Sequence, residues 1–291
     1  MRDYTGYSLD NRYILKKIIA KGGSSVVYLA GDASGNLKKE WCCKCVSTEG
    51  DPEQIRILKK EVALLDELDH PNIVNIIYYT QRDECFFFVM DFIKGRTLEE
   101  MLEKDGPRTE RFAADICITL CSVLGYLHTV HKDPIIFSDL KPANVMLDEH
   151  DMPFLLDMGI AHEVIPGTQD TVPAMGTKGY AAPEQYKSGT RLVDERTDIY
   201  GMGALLYSMI TGEVPEREYY PLLEGRPEKQ NDIKKTRPEV SMAMAHIVSK
   251  CMEPDPSKRY DSMDDLKQDL VNLSLLNEKY VNSIKRKLTY V

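Results

Sequence analysis

The sequence predicts an α+β fold in two lobes. Residues 1–93 read as a small lobe, an antiparallel sheet with one helix, and residues 94–275 as a larger, mainly helical lobe. Three observations predict this. Strand-length runs fill the chain up to Phe92, alternating in Tyr13 to Tyr28 and nearly all apolar in Trp41 to Val46, with one stretch of helical spacing among them. From Thr97 onward the apolar residues recur at helical spacing instead. Between the helical runs, the stretch Ile135 to Gly159 sets two carboxylates, an amide and an ammonium in a tight loop and the hairpin arm behind it.

At 291 residues the chain is long enough to bury a sizeable core. A net charge of -9 disfavours nucleic acid as a partner, because binding a phosphate backbone is dominated by Lys and Arg. It says little about a nucleotide, whose charge is met locally. No uninterrupted apolar run reaches the roughly 18 to 20 residues that cross a bilayer. Met1-Arg2-Asp3-Tyr4 leads into no apolar signal segment, so the expectation is a cytoplasmic chain. Seven cysteines, an odd number without an export signal, argue for reduced thiols. Cys42, Cys43 and Cys45 cluster, but no second Cys or His pair stands at zinc-ligand spacing, and they read as small residues of a buried strand.

Taken in order, Tyr13 to Tyr28 alternates around Lys21-Gly22-Gly23-Ser24-Ser25, a strand, a flexible turn and a second strand. A phosphate-covering hairpin has this form, and so does an ordinary one. Trp41 to Val46 is the next strand, with Lys44 a charge in an apolar run, costly unless paired. Ile55 to Leu68 carries Ile55, Leu58, Val62 and Leu65 at helical spacing, with Glu61 among them as the candidate partner. Pro71 stops that helix. Ile73 to Thr80 and Cys85 to Phe92 then read as two strands joined by the polar turn Gln81 to Glu84.

The larger lobe opens with helices over Leu98 to Leu102 and Arg111 to Val130, the second with Phe112, Ile116, Leu120, Leu124 and Leu127 on one face. His128 and His131 close it, and no further metal ligands converge on them in sequence. In the loop that follows, Asp139, Lys141, Asn144 and Asp157 are suited to hold Mg²⁺ against nucleotide phosphates and to orient a hydroxyl for in-line attack. The stretch from Asp157 to Glu184 carries Thr168, Thr171 and Thr177, with Gly167 and Gly176 for mobility. Asp198 to Tyr207 is a nearly all-apolar helix whose first-turn acid can cap it. Met263 to Leu273 is the last amphipathic helix. Residues 276–291 form a basic tail, with Lys279, Lys285, Arg286 and Lys287 against Glu278, read either as a solvated helix or as a contact for an acidic partner or membrane surface.

Residues 10–273 resemble the eukaryotic-type, or Hanks-type, Ser/Thr protein kinases, including their bacterial members. The family's catalytic loop His-Arg-Asp-Leu-Lys-Pro-x-Asn stands here as Phe137-Ser138-Asp139-Leu140-Lys141-Pro142-Ala143-Asn144, and its Asp-Phe-Gly as Asp157-Met158-Gly159. Its docking segment closes in Ala182-Pro183-Glu184. The resemblance implies a bilobal protein-kinase fold that binds ATP between its lobes with Mg²⁺, or Mn²⁺ as a substitute. Asp139 would orient the acceptor hydroxyl of a protein Ser or Thr and Lys141 would stabilise the transferring phosphoryl, while Asn144 and Asp157 hold the metal. Lys44, fixed by Glu61, would position the α and β phosphates under a hairpin including Ala20, Gly22, Ser25 and Val27. Val27, Cys42 and Met146 would sandwich the adenine, Met90 would stand behind it, and the backbones of Asp91 and Ile93 would bond its edge. Thr177 matches the position that bonds the catalytic Asp and Lys, Asp198 the buried acid that holds the catalytic loop, and Arg259 the arginine paired with Glu184. Thr168 and Thr171 are autophosphorylation candidates.

The departures matter as much. Of three family glycines only Gly22 remains, and a Cβ at Ala20 and Ser25 restricts close approach to phosphate, so weaker ATP binding is expected. Phe137 and Met158 exchange bulk between positions that, with Leu65 and Ile76, would complete an apolar column. Ser138 replaces an arginine that in many members pairs with a loop phosphate, so activity should depend little on phosphorylation through this position. The competing reading is a nucleotide-binding pseudokinase that acts as a regulatory module. A small-molecule phosphotransferase is disfavoured by the docking segment and Arg259.

Overall fold

The structure, a computed structural model, describes residues 2–23, 25–156, 162–163, 176–186, 193–215 and 232–288; the side chains of 53, 60, 61, 162, 163 and 276–288 are outside that description. The chain divides into two compact units, Met1–Gly95 and Arg96–Val291.

The first unit is an antiparallel sheet of six strands in the order β1-β2-β3-β4-β6-β5. These are β1 (Ser8–Leu9), β2 (Tyr13–Lys21), β3 (Ser25–Asp32), β4 (Glu40–Ser47), β5 (Ile76–Arg82) and β6 (Cys85–Asp91), with helix α1 (Pro52–Asp66) after β4. The two-residue period of the strands sorts their side chains. Cys43, Cys45, Phe87 and Val89 pack with Tyr4, Leu15, Tyr28 and Trp41 on one face. Val46, Phe86, Phe88 and Met90 meet Leu58 and Val62 of α1 on the other. Strand β5 begins at Ile76 rather than the expected Ile73, because a turn comes first: Ile73 N–H bonds His70 O, and Asn72 N–H bonds His70 Nδ1. Ile73 and Val74 are buried all the same.

The second unit begins with β7 (Gly95–Thr97), α2 (Leu98–Asp105) and α3 (Glu110–Thr129), continues through β8 (Ile135–Ile136), β9 (Val145–Asp148), β10 (Pro153–Leu155) and β11 (His162–Glu163), and ends in α4 (Glu195–Thr211), α5 (Ile233–Thr236), α6 (Met242–Cys251) and α7 (Met263–Leu288). Thr97 and Thr109 cap α2 and α3, the first as a full capping box with Glu100. Ile116, Leu120, Leu124 and Leu127 of α3 are buried as expected, whereas Phe112 is half-buried with the Arg108 guanidinium 4.9 Å above its ring. By length and composition α3 passes for a membrane span, yet its buried residues belong to the core of this unit. Helix α4 is capped by Asp194, not Asp198. Helix α7 runs fifteen residues past the expected end at Leu273, through most of the basic tail.

Candidate active site

In the first unit, strand register gathers the predicted nucleotide residues. Ala20 lies opposite Val27, Val27 opposite Lys44, and Cys42 opposite Met90. Directly opposed residues share a face, as do residues two apart on one strand, so Ala20, Val27, Lys44, Cys42 and Met90 line the same side. It is the side α1 covers, which puts Lys44 on the face where Glu61 stands on its helix. The Glu61 side chain is outside the described residues, so the pair with Lys44 stays an expectation. The hairpin closes by Gly22 N–H to Ser25 O, 2.8 Å. Asp91 donates its N–H to Asn75 O and its carboxylate pairs with Lys39 at 3.0 Å; Ile93 follows β6 half-buried. Burial pushes the Cys42 thiol up to about 11, against the pull of the nearby Lys44 charge. All seven cysteines are unpaired, in keeping with the reduced thiols expected.

In the second unit the catalytic loop is pinned from below. Asp198, 1% exposed on α4, accepts from Phe137 N–H (2.9 Å) and Ser138 N–H (2.8 Å). His128 Nε2 meets the same carboxylate at 2.9 Å, so the histidine at the end of α3 supports a structural acid. Ser138 has φ +68°, a left-handed conformation that costs an L-residue energy, and it stands immediately before Asp139. Its hydroxyl is buried with no partner among the described residues.

Asp139 is the hub of the loop. Lys141 Nζ donates to its Oδ2 at 2.7 Å and to Thr177 Oγ1 at 2.7 Å, and Thr177 Oγ1 donates to Asp139 Oδ1 at 2.7 Å. Asn144 Nδ2 bonds the Asp139 carbonyl (2.8 Å) and Oδ2 (3.1 Å), which turns its Oδ1 away from Asp139. An amide oxygen is one of the hard donors a small divalent cation takes, so Asn144 fits such an ion. Asp157, the other expected metal residue, lies outside the described residues with Met158, Gly159, Gly167, Thr168 and Thr171. Met146 follows on β9 opposite Phe154, and Leu156 N–H closes the hairpin on Asn144 O at 2.9 Å.

The end of the docking segment is fixed by a buried pair. Arg259 Nη1 and Nη2 bond Glu184 Oε1 and Oε2 at 2.6 and 2.9 Å, with Thr197 Oγ1 also on Oε1 at 3.0 Å. Besides the His128 contact, another escaped sequence reasoning: Gln185 donates from Nε2 to Ser138 O and accepts Ala182 N–H on Oε1, both at 2.7 Å. Nothing in sequence marks a lone amide beside an Ala-Pro-Glu run.

A sheet with one helix, followed by a helical unit whose loop sets Asp139, Lys141 and Asn144 around a docking threonine, defines a phosphotransferase of the kinase class. The protein kinase domain family matches residues 13–271, and the chain belongs to that family, with its bilobal α+β fold. Members use ATP and a divalent metal ion. The chain is 30% identical over 283 residues to the serine/threonine-protein kinase PrkC of Bacillus subtilis (strain 168), covering 94% of this chain and 43% of that one. It is 32% identical over 271 residues to a probable serine/threonine-protein kinase of Clostridium perfringens (strain 13 / Type A), covering 91% and 38%. To the serine/threonine-protein kinase PknB of Mycobacterium leprae (strain TN) it is 29% identical over 277 residues, covering 91% and 43%. The chain thus spans about two fifths of the length of these curated relatives.

Proposed function

We propose that the chain is an active serine/threonine protein kinase that transfers the γ-phosphoryl group of ATP to Ser and Thr hydroxyls of proteins, itself included. The observation that carries this is the closed set Asp139, Lys141 and Thr177, each within 2.7 Å of the other two. Asp139 is placed to accept the proton of an incoming hydroxyl, and Lys141, held beside it, offers a positive charge to the phosphoryl in transit. Thr177 ties both to the docking segment. Mg²⁺, with Mn²⁺ as a substitute, would neutralise phosphate charge when held by Asn144 and Asp157. Lys44 positions the nucleotide phosphates, and the work is mostly positioning and electrostatics. Free thiols and ATP use support a cytoplasmic setting.

The test is transfer of labelled phosphate from ATP with Mg²⁺ to the protein and to dephosphorylated casein, beside Asp139→Ala and Asp157→Ala. Label taken up by the parent and lost in both variants is the expected result, with Thr168, Thr171 and Thr177 the residues to map. Because Ser138 cannot pair with a loop phosphate, phosphatase-treated protein should start at the rate of the untreated form. Bound ATP without transfer would favour the pseudokinase reading, to which the Cβ atoms of Ala20 and Ser25 already lean.

A further inference from the structure

The left-handed residue that carries Asp139 is held at both of its backbone polar groups, by side chains from two different elements. Asp198 of α4 takes the Ser138 N–H, and Gln185 takes the Ser138 carbonyl. Gln185 is itself fixed: only 9% of it is exposed, and its Oε1 is bonded to Ala182 N–H. Ser138 contributes nothing of its own to the arrangement, since its hydroxyl lacks a partner among the described residues. A serine at φ +68° relaxes toward extended or right-handed backbone once its restraints go, and the next residue turns with it. We propose that Gln185 is a positioning residue that sets the carboxylate of Asp139 by clamping the carbonyl of Ser138, and so couples a seated docking segment to catalysis without a phosphate. The clamp and the arm Thr177 to Asp139 are two ties from one segment to one loop, to its backbone and to its acid. Seating the segment therefore orients the acid directly. The inference rests on the chain being an active kinase.

The experiment compares Gln185→Leu and Gln185→Glu in the parent and in a Ser138→Gly background, by steady-state transfer to dephosphorylated casein and by backbone amide exchange. Glutamate can still accept Ala182 N–H but offers Ser138 O no donor, so both variants should lose kcat by roughly 10- to 100-fold, the scale of a small misplacement of a catalytic group. KM for ATP should stay within about twofold, and a melting temperature within about 2 °C of the parent's separates the kcat loss from a general loss of folding. Glycine adopts left-handed backbone without strain, so the loss caused by Gln185→Leu should shrink at least about threefold in the Ser138→Gly background. Amide exchange at Phe137, Ser138 and Asp139 should quicken in Gln185→Leu while α3 stays protected. Unchanged kcat in Gln185→Leu, a Gln185→Glu variant as active as the parent, or losses that simply multiply in the glycine background would each overturn the proposal. If the parent itself transfers no phosphate, the kinase reading fails first; amide exchange then decides the clamp alone, and unaltered exchange at 137–139 overturns it.

Discussion

At the scale of single residues, burial separates ion pairs that hold the structure from those that decorate it. Arg259 and Glu184 have side chains 0% and 1% exposed, and the guanidinium also bonds the carbonyls of Arg196 and Glu253. Removing one partner of such a pair leaves a buried charge uncompensated and costs about 3–5 kcal/mol. Total stability is only about 5–15 kcal/mol, so Arg259→Leu should remove a large part of it. Arg111 and Asp115, 3.8 Å apart and more than half exposed, form the contrast, and Arg111→Ala should cost less than about 1 kcal/mol. Urea denaturation of the two variants beside the parent measures both. Equal losses would mean that the buried pair is as well solvated as the exposed one. The same contrast explains what could be read in advance. Glu184 and Arg259 stand in motifs that announce them, whereas Gln185 and His128 act through contacts to residues far away in the chain, and no local pattern records such contacts.

Among elements, the strands and the long helices follow from periodicity, and the errors have local causes. Two acids, Asp194 and Asp198, start α4; the cap goes to the one with extended backbone outside the helix, which frees the other to reach the catalytic loop. The apolar pattern of α7 thins after Leu273, yet no Gly or Pro follows Pro256, so nothing in the chain stops the helix there. The strand β4 carries a testable consequence of its packing. Burial raises Cys42 to about 11 and pushes Cys43 and Cys45 upward as well. The fold therefore holds these thiols neutral, and ionisation favours the unfolded chain. Their contribution is whole below the ordinary thiol pKa of about 8.5 and is lost as pH rises from there toward the folded values. Under reducing conditions the urea midpoint should hold steady between pH 7.5 and 8.5 and fall from pH 9 to 10, less steeply in Cys42→Ala. A midpoint level to pH 10 in the parent would mean that folded and unfolded thiols titrate alike.

For the whole molecule, the decisive question is whether the residues assigned to nucleotide, spread over both units, act on one ligand. The net charge of -9 gives the chain no general attraction for a polyanion, so any affinity for ATP has to come from local groups such as Lys44 and from the metal ion. A ligand that binds only the folded state stabilises it by RT ln(1 + [L]/Kd), which is about 2.7 kcal/mol at a hundredfold excess over Kd. With an unfolding entropy of about 2.1 cal/mol/K per residue, that raises the melting temperature of a chain of this size by roughly 4 °C. ATP with Mg²⁺ should produce this rise, and chelating the metal with EDTA should abolish most of it. Asp139→Asn should keep the shift, since in the proposed reaction that carboxylate serves the acceptor and not the nucleotide. Lys44→Met should reduce it several-fold if, as proposed, Lys44 is the cation that meets the α and β phosphates of the nucleotide. The Cβ atoms of Ala20 and Ser25 work against tight binding, so the hundredfold excess calls for a higher ATP concentration than a hairpin with all its glycines would need. A shift that survives EDTA and Lys44→Met unchanged would place the nucleotide somewhere other than the residues named here.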